Sequence, residues 1–324
     1  MRAPLLALSL SFLGFALACG GGGSPGGPGS AGGGPGNGGS LDGFSIFPAD
    51  NPWNTDISSA PVDPASPALI ASIGSATGLH PDFGTSWQGA PIGIPYVLVP
   101  ADQPKVQVVF DYAGESDPGP YPIPADAPVE GGPASQGDRH VLVLDLAAAR
   151  LYELYDAFPV AGGASWTAGS GAIFDLTSNA LRPARWTSAD AAGLPIFPGL
   201  VRYDEAVEAG AIHHALRFTV QRTRQAYVPP ATHWASSSTS PALPPMGMRV
   251  RLKASVAIAG YPPHVQAILL ALQHYGMFVA DNGSNWYLSG THDSRWNDEE
   301  LSALGGIKGS DFEVVQMTGL QTPP

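Results

Sequence analysis

Three cations at alternate positions form the most unusual pattern in this chain. Arg249, Arg251 and Lys253 are separated by apolar residues, and this pattern predicts a β-strand over residues 249–258. Because successive side chains of a strand point to opposite faces, all three cations would lie on one face. Such a face could bind the carboxylate or sulfate groups of a glycan. A solvated face, or protection of an edge strand against aggregation, is the other interpretation.

A second predicted strand, over residues 211–220, carries His213 and Arg217 on one face and His214 on the other. His213 and Arg217 would form a polar platform with room for a sugar ring. His214 lies on the apolar side, where it is either a core histidine or a base whose pKa is lowered by burial. We therefore take His213 and His214 as candidate catalytic residues. Arg217 and the three cations are candidate substrate-binding residues.

Paired carboxylates would serve glycosidic hydrolysis, which needs two of them at a defined separation. The candidates are spread along the chain: Asp111, Glu115, Asp117, Asp145, Glu153, Asp281, Asp293 and Asp311. Asp281 is the third candidate catalytic residue, although its position beside an Asn-Gly pair is also typical of a residue that caps a turn. A lyase acting on uronates would instead use cations to neutralise the substrate and His213 or Tyr203 as the base.

Several aromatic residues fall in predicted loops, where an exposed ring can stack on a sugar. Trp234 and Trp286 are the candidates for this substrate-binding role, with ordinary packing as the alternative. The sequence has no His-Glu-x-x-His motif, cysteine cluster or EF-hand spacing, so we expect no metal and no cofactor. The net charge of −12 disfavours nucleic acid as a partner.

The elements that must position these residues are short. The chain has 41 Gly and 33 Pro, and they separate many brief apolar segments. This pattern predicts a mainly β fold, a single domain like a β-sandwich or jelly roll with a few short helices. An α+β domain is the second interpretation. We also expect a hairpin over residues 140–158, an amphipathic helix over residues 262–275 and a hairpin turn at Asn282–Gly283.

The N-terminal residues indicate where the protein works. Arg2 followed by an apolar run over residues 5–17 is typical of a secretory signal. The sequence Ala16-Leu17-Ala18-Cys19, which contains the only cysteine of the chain, resembles the processing site of a bacterial lipoprotein. The resemblance implies an acylated Cys19 that anchors the protein in a membrane. With Gly20 after the cysteine, it also implies sorting to the outer membrane.

These features predict three parts of the chain. Residues 1–18 would be a signal peptide, and residues 19–40 a lipidated cysteine with a disordered Gly/Ser/Pro linker. Residues 41–324 would form the globular β-rich domain. We expect the protein in the cell envelope, held in the outer membrane by its lipid anchor, or in the extracellular space.

Four segments of the globular part carry a further resemblance. Residues 193–205, 210–218, 244–252 and 275–283 resemble a group of secreted bacterial proteins of uncharacterised function. The resemblance implies one extracytoplasmic domain and supplies no catalytic role for any residue.

The leading hypothesis is a surface-anchored lipoprotein that engages extracellular polysaccharide, either as a glycoside hydrolase or as a polysaccharide lyase. A non-catalytic glycan-binding or adhesion module and a structural envelope protein are the alternatives. Two carboxylates, or a base beside the cations, that converge in one cleft would favour an enzyme. A shallow aromatic platform without convergent acids would favour binding alone.

Overall fold

The structure, a computed structural model, describes residue 41 and residues 43–323, so the expected signal peptide, Cys19 and linker lie outside the described residues. The strands, in chain order, are β1 (His80–Asp82), β2 (Ser86–Trp87), β3 (Ala90–Pro91), β4 (Tyr96–Leu98), β5 (Val108–Phe110), β6 (Val141–Asp145), β7 (Arg150–Tyr155), β8 (Phe158–Val160), β9 (Ser165–Ala168), β10 (Ser170–Asp175), β11 (Leu216–Val220), β12 (Arg249–Leu252), β13 (Met277–Asn282), β14 (Tyr287–Ser289) and β15 (Phe312–Val314). The helices are α1 (Ser66–Ile73), α2 (Pro263–His274) and α3 (Asp298–Leu301), with short 3-10 segments and one π-helical segment (Asp204–Ala209) between strands.

The strands form several sheets, which confirms the predicted mainly β fold with a few short helices. The largest sheet has the order β1-β14-β11-β13-β12-β15, and a four-stranded sheet has the order β10-β7-β6-β4. β5, β9 and β8 form a third sheet, and β2 and β3 form a separate hairpin. Parallel pairs occur between β11 and β13, β1 and β14, β4 and β6, and β5 and β9. The jelly-roll or sandwich arrangement stays a prediction.

The four-stranded sheet is buried on both faces. Leu142 and Leu144 of β6 point into a large core, whereas Val141 and Val143 point into a smaller one. A strand that is covered on both sides needs apolar residues at consecutive positions, which explains the unbroken apolar run of β6. Glu153 of β7 also faces the large core, and its carboxyl group accepts hydrogen bonds from the backbone N–H groups of Ile196 and Phe197, each at 2.9 Å.

Two local predictions are confirmed by the structure. β6 and β7 pair in antiparallel register, as expected for a hairpin over residues 140–158. The amphipathic pattern over residues 262–275 forms α2, which buries Val265, Ile268 and Leu272 against the large core. Among the described residues no helix is long and apolar enough to cross a membrane.

The predicted hairpin at Asn282–Gly283 is wrong, because β11 lies between β13 and β14. The connection passes over the end of β11, where the N–H of Gly283 donates to the carbonyl of Val220 at 3.1 Å. The N–H of Trp286 donates to the carbonyl of Thr219 at 3.2 Å. The Asn-Gly signal reports a local turn and carries no information about an inserted third strand.

Both cation-bearing strands are shorter than predicted. The strand expected over residues 249–258 ends at Leu252, and the next residues turn toward α2, with the N–H of Val256 donating to the carbonyl of Lys253. The strand expected over residues 211–220 begins at Leu216, so His213 and His214 precede it. The N–H of Ala215 donates to the carbonyl of Trp53 at 2.7 Å instead of to a neighbouring strand.

Candidate functional site

A polar cleft lies where β11 and β13 end side by side. It consists of two adjoining cavities of about 500 Å³ and 250 Å³ that share Asp138, Asp281 and Asn282 in their walls. β11 also carries a register irregularity against β13 between Phe218 and Thr219. Such irregularities re-aim side chains and are frequent beside binding sites. The strand ends and the loops around them therefore direct polar groups into one space.

A buried ion pair forms the floor of this cleft. Arg217 of β11 binds one carboxylate oxygen of Asp190 through Nε at 3.2 Å and Nη2 at 3.1 Å. Its Nη1 donates to the hydroxyl of Ser289 at 2.7 Å. Asp190 is held in turn by the N–H of Ala192, which donates to its other oxygen at 3.3 Å. Each buried charge thus has a partner, which a charge in this position requires.

Buried His140 and half-buried Glu130 form a second ion pair in the smaller cavity. Nδ1 of His140 lies 2.7 Å from a carboxylate oxygen of Glu130, and Nε2 lies 3.1 Å from the carbonyl oxygen of Ala189. Both partners accept hydrogen bonds, so both ring nitrogens donate and the ring is an imidazolium. Burial alone would lower the pKa of His140, but the charge and hydrogen bond of Glu130 raise it to about 9.

Asp281 is a carboxyl group of this cleft that can exchange a proton near neutral pH. It lies near the end of β13, and the N–H of Asn282 donates to its Oδ1 at 2.6 Å. Burial, and then the negative charge of Asp190, raise the pKa of Asp281 to about 7 against the opposing charge of Arg217. A carboxyl group with this pKa is suited to general acid or base catalysis.

His233 and Asp138 face the same cleft. Nδ1 of His233 lies 2.7 Å from the carbonyl oxygen of Ala191, so Nδ1 carries the proton in the neutral ring and Nε2 carries the lone pair. His233 is half-buried and lines the larger cavity, whereas Asp138 is exposed and lines both cavities. The cleft therefore combines a titrating carboxyl group with two accessible groups that can accept a proton.

The walls of the cleft are acidic. Among the described residues, the cationic side chains that line it are Arg217 and His140. They are already paired with Asp190 and Glu130. Four further carboxyl groups line it without a cationic side-chain partner: Asp82, Glu115, Asp138 and Asp281. This charge repels an anionic ligand and favours a neutral or cationic one.

The predicted cationic ridge is engaged within the protein. Arg249 donates to the carbonyl oxygens of Tyr275, Pro52 and Thr55 at 2.7 to 3.0 Å, and burial lowers its pKa to about 9. Arg251 binds Glu313 at 2.8 Å and donates to a backbone carbonyl. Lys253 donates to the carbonyl oxygen of Ser310 at 2.7 Å. None of the three lines the cleft, and their hydrogen bonds fasten neighbouring loops to the sheet.

The two candidate tryptophans lie outside the cleft as well. Trp286 is 0% exposed and stacks between Phe218 and Phe312, and its indole N–H donates to the carbonyl of Gly74 at 2.9 Å. Its ring therefore presents no surface to a ligand. Trp234 is half-buried and stacks on Tyr227 with ring centroids 5.6 Å apart.

His213 and His214 line a different pocket, of about 390 Å³, together with Arg202 and Glu205. Nε2 of His214 lies 3.0 Å from Glu205, and Nδ1 lies 2.8 Å from the carbonyl oxygen of Ala215. Both ring nitrogens of His214 face acceptors, so neither is available to take a proton from a substrate. The structure thus places these histidines apart from Asp281 and Arg217, which it brings together in the cleft.

The other predicted carboxylates mostly have structural partners. Asp293 binds Arg295, Asp117 binds Arg182, and Asp145 accepts a hydrogen bond from the N–H of Ala148. Four residues of the cleft were not predicted from the sequence: Asp138, His140, Asp190 and His233. One local signal was present for two of them, because Asp138-Arg139-His140 places three ionisable residues directly before the unbroken apolar run of β6.

No protein-family model, no curated protein and no solved structure matches the chain. Within the described residues no group of three or more His, Cys, Asp or Glu side chains could hold a metal ion.

Proposed function

We propose that the protein binds an extracellular polysaccharide in this cleft and hydrolyses its glycosidic bonds. The observation that carries the proposal is Asp281, a carboxyl group in the cleft wall with a pKa of about 7 and with Asp138 in the same wall. Asp281 in its protonated form gives its proton to the leaving oxygen, while a water molecule attacks the anomeric carbon. Asp138 accepts the proton that this water loses.

The charge of the cleft supports hydrolysis of a neutral or amino-sugar polymer over elimination on a uronate. A uronate lyase needs free cations or amides to neutralise the substrate carboxylate. Arg217, the arginine that lines the cleft among the described residues, is bound to Asp190 and Ser289. Asp82, Glu115 and Asp138, which line the cleft without cationic side-chain partners among the described residues, would repel a uronate polymer even while Asp281 holds its proton.

A non-catalytic glycan-binding module is the second candidate, and Tyr112 favours it. This residue lines the larger cavity and is 59% exposed, so its ring can stack on a sugar without any chemistry. A hydrolase should lose its cleavage activity when the Asp281 carboxyl group is removed. A binding module should show no cleavage with or without this group.

Anchoring through an acylated Cys19, in the outer membrane or another part of the cell envelope, belongs to the same proposal. Its support is the sequence of residues 1–40. In cells, a Cys19→Ala variant should move from the membrane fraction to the soluble fraction, and a membrane fraction equal to that of the wild type would overturn this part of the proposal.

We also propose that the fold is a β-sandwich of the jelly-roll kind. Its support is a shared core: Leu142 and Leu144 of the four-stranded sheet and Phe218 and Val279 of the six-stranded sheet belong to the same buried cluster. An experimental structure that shows these two sheets packed other than face to face would contradict it.

The test of the enzymatic proposal uses the wild-type protein and its Asp281→Asn variant on neutral, amino-sugar and uronate polysaccharides. New reducing ends with the first two classes, absent with Asp281→Asn, are the expected result. Asp126→Asn is the matched control, because Asp126 is exposed and does not line the cleft. Unsaturated products from the uronate polymer would indicate a lyase, and binding without cleavage would indicate a binding module.

A further inference from the structure

A small hairpin grows out of the rim of the cleft. Asp82 and Ile94 both line the smaller cavity, and the chain between them forms the hairpin of β2 and β3. On one side the hairpin approaches the loop that carries Glu130, since Pro91 lies beside Gly132. The hairpin is therefore continuous with the wall of the proposed binding site.

Trp87 projects from the end of this hairpin and is 67% exposed. All seven tryptophans lie within the described residues, and the other six are buried or half-buried. Trp87 pairs with Ala90 across a two-residue turn in which Gln88 and Gly89 both have positive φ, 51° and 83°. This is the tight turn that suits the twist of a hairpin, and it defines the backbone position from which the indole ring projects.

The base of the hairpin is held firmly. Asp298 of α3 accepts hydrogen bonds from both the backbone N–H and the hydroxyl of Thr85. Gly84 lies directly beside this contact, and a Cβ at its position would lie only 2.4 Å from an oxygen of Asp298, so a larger residue there would displace that carboxylate. Because these contacts already order the hairpin, less conformational entropy is lost when a ligand binds there. This favours a recognition role for the ring over incidental exposure.

We infer that Trp87 is a sugar-stacking subsite outside the cleft, and that the ligand is a polysaccharide chain that extends from the cleft across the hairpin. This inference rests on the proposed function. Trp87 lies five residues beyond Asp82, which corresponds to at most about 16 Å of extended chain. The ring and the cleft are therefore close enough for one polysaccharide chain to contact both. The ligand class that we infer is a polymer or a long oligosaccharide, because such a chain can extend from the cleft to a second contact outside it.

The experiment measures binding of the full chain, with the Asp281→Asn substitution added so that cleavage does not interfere. The ligand is the polysaccharide that the wild type cleaves or, without cleavage, binds. Trp87→Ala should weaken the affinity for this polysaccharide by roughly 3- to 10-fold, and Trp87→Phe should restore most of the affinity. Binding of a disaccharide of the same sugar should be equal in all three proteins. Equal polymer affinity in Trp87→Ala and its parent would overturn the inference.

Other outcomes separate this inference from the function on which it rests. Polymer binding that depends on Trp87, together with no cleavage by the wild type, would keep the subsite and reject the hydrolase. Cleavage by the wild type, with polymer binding that does not depend on Trp87, would keep the hydrolase and reject the subsite. A loss of binding to phosphatidylcholine vesicles in Trp87→Ala, with unchanged polymer binding, would assign the ring to a membrane surface and overturn the inference. If no polysaccharide of the panel is bound, both proposals are overturned.

Discussion

Asp190 and Asp281 line the same cavity, and the negative charge of Asp190 helps to raise the pKa of Asp281 to about 7. Arg217 neutralises much of the Asp190 charge. Its guanidinium group lies at the floor of the cleft, where it also binds Ser289. The Asp190–Arg217 pair therefore tunes a neighbouring carboxyl group while remaining buried itself. In the proposed reaction Asp190 is a positioning residue and Asp281 is the catalytic one.

Replacing Asp190 tests this relationship directly. In Asp190→Asn the charge that disfavours ionisation of Asp281 is gone and the charge of Arg217 is unopposed, so the pKa of Asp281 should fall by roughly one unit or more. Because a general acid acts in its protonated form, the loss of activity at high pH should begin at lower pH than in the wild type. The pH profile of kcat/KM measures this, and an unmoved profile would contradict the account. A buried Arg217 without its partner is destabilising, so circular dichroism must first establish that the variant is folded at the temperature of the assay.

Glu153 makes the stability of the protein depend on pH. It is completely buried, and burial raises its pKa from 4.5 to about 7 in the folded state. The folded state therefore binds this proton more tightly than the unfolded state, so the stabilisation is complete below pH 4.5 and is lost as the pH rises to 7. The two pKa values differ by an amount worth about 3 kcal/mol.

The corresponding variant is Glu153→Gln, which keeps the shape of the side chain and does not titrate. Urea unfolding at several pH values should show a smaller decrease in the free energy of unfolding between pH 5 and 7.5 than in the wild type. The decrease should persist in part, because Asp281 titrates in the same direction. An identical decrease in both proteins would show that Glu153 does not carry this pH dependence.

Trp286 and Trp87 form a matched pair for separating structure from recognition. Trp286→Ala should lower the free energy of unfolding by about 3–5 kcal/mol, because it removes a fully buried ring from between Phe218 and Phe312. Trp87→Ala should change it by less than about 0.5 kcal/mol, as expected for an exposed position. Chemical denaturation measures both values. A small effect of Trp286→Ala would reopen the sequence-based prediction that this ring binds substrate.

The parts of the fold that were predictable from sequence are those set by local pattern. The apolar spacing of α2 and the two strands around residues 146–149 are determined within some twenty residues, and both were predicted. The turn at Asn282–Gly283 was read as a hairpin because nothing in the adjacent sequence announces β11, which comes from about sixty residues earlier. Strand order is a property of the whole chain.

The candidate site was predictable only in part, for a similar reason. Alternation placed Arg217 on the polar face of a strand, and Arg217 does line the cleft. The same argument placed Arg249 on a polar face, but its acceptors come from Pro52 and Thr55, nearly two hundred residues away. Whether a cation is free or fastened to a distant carbonyl depends on those tertiary contacts.

The most direct test of the account is the pH dependence of reducing-end release by the wild type and by Asp281→Asn, on a neutral or amino-sugar polysaccharide. We predict that the wild-type activity falls as the pH rises through about 7, the pKa of Asp281, and that the variant loses about 100-fold or more. Asp126→Asn should match the wild type throughout. An Asp281→Asn variant with wild-type activity, or a wild-type activity that increases through pH 7, would contradict the assignment of Asp281 as the general acid.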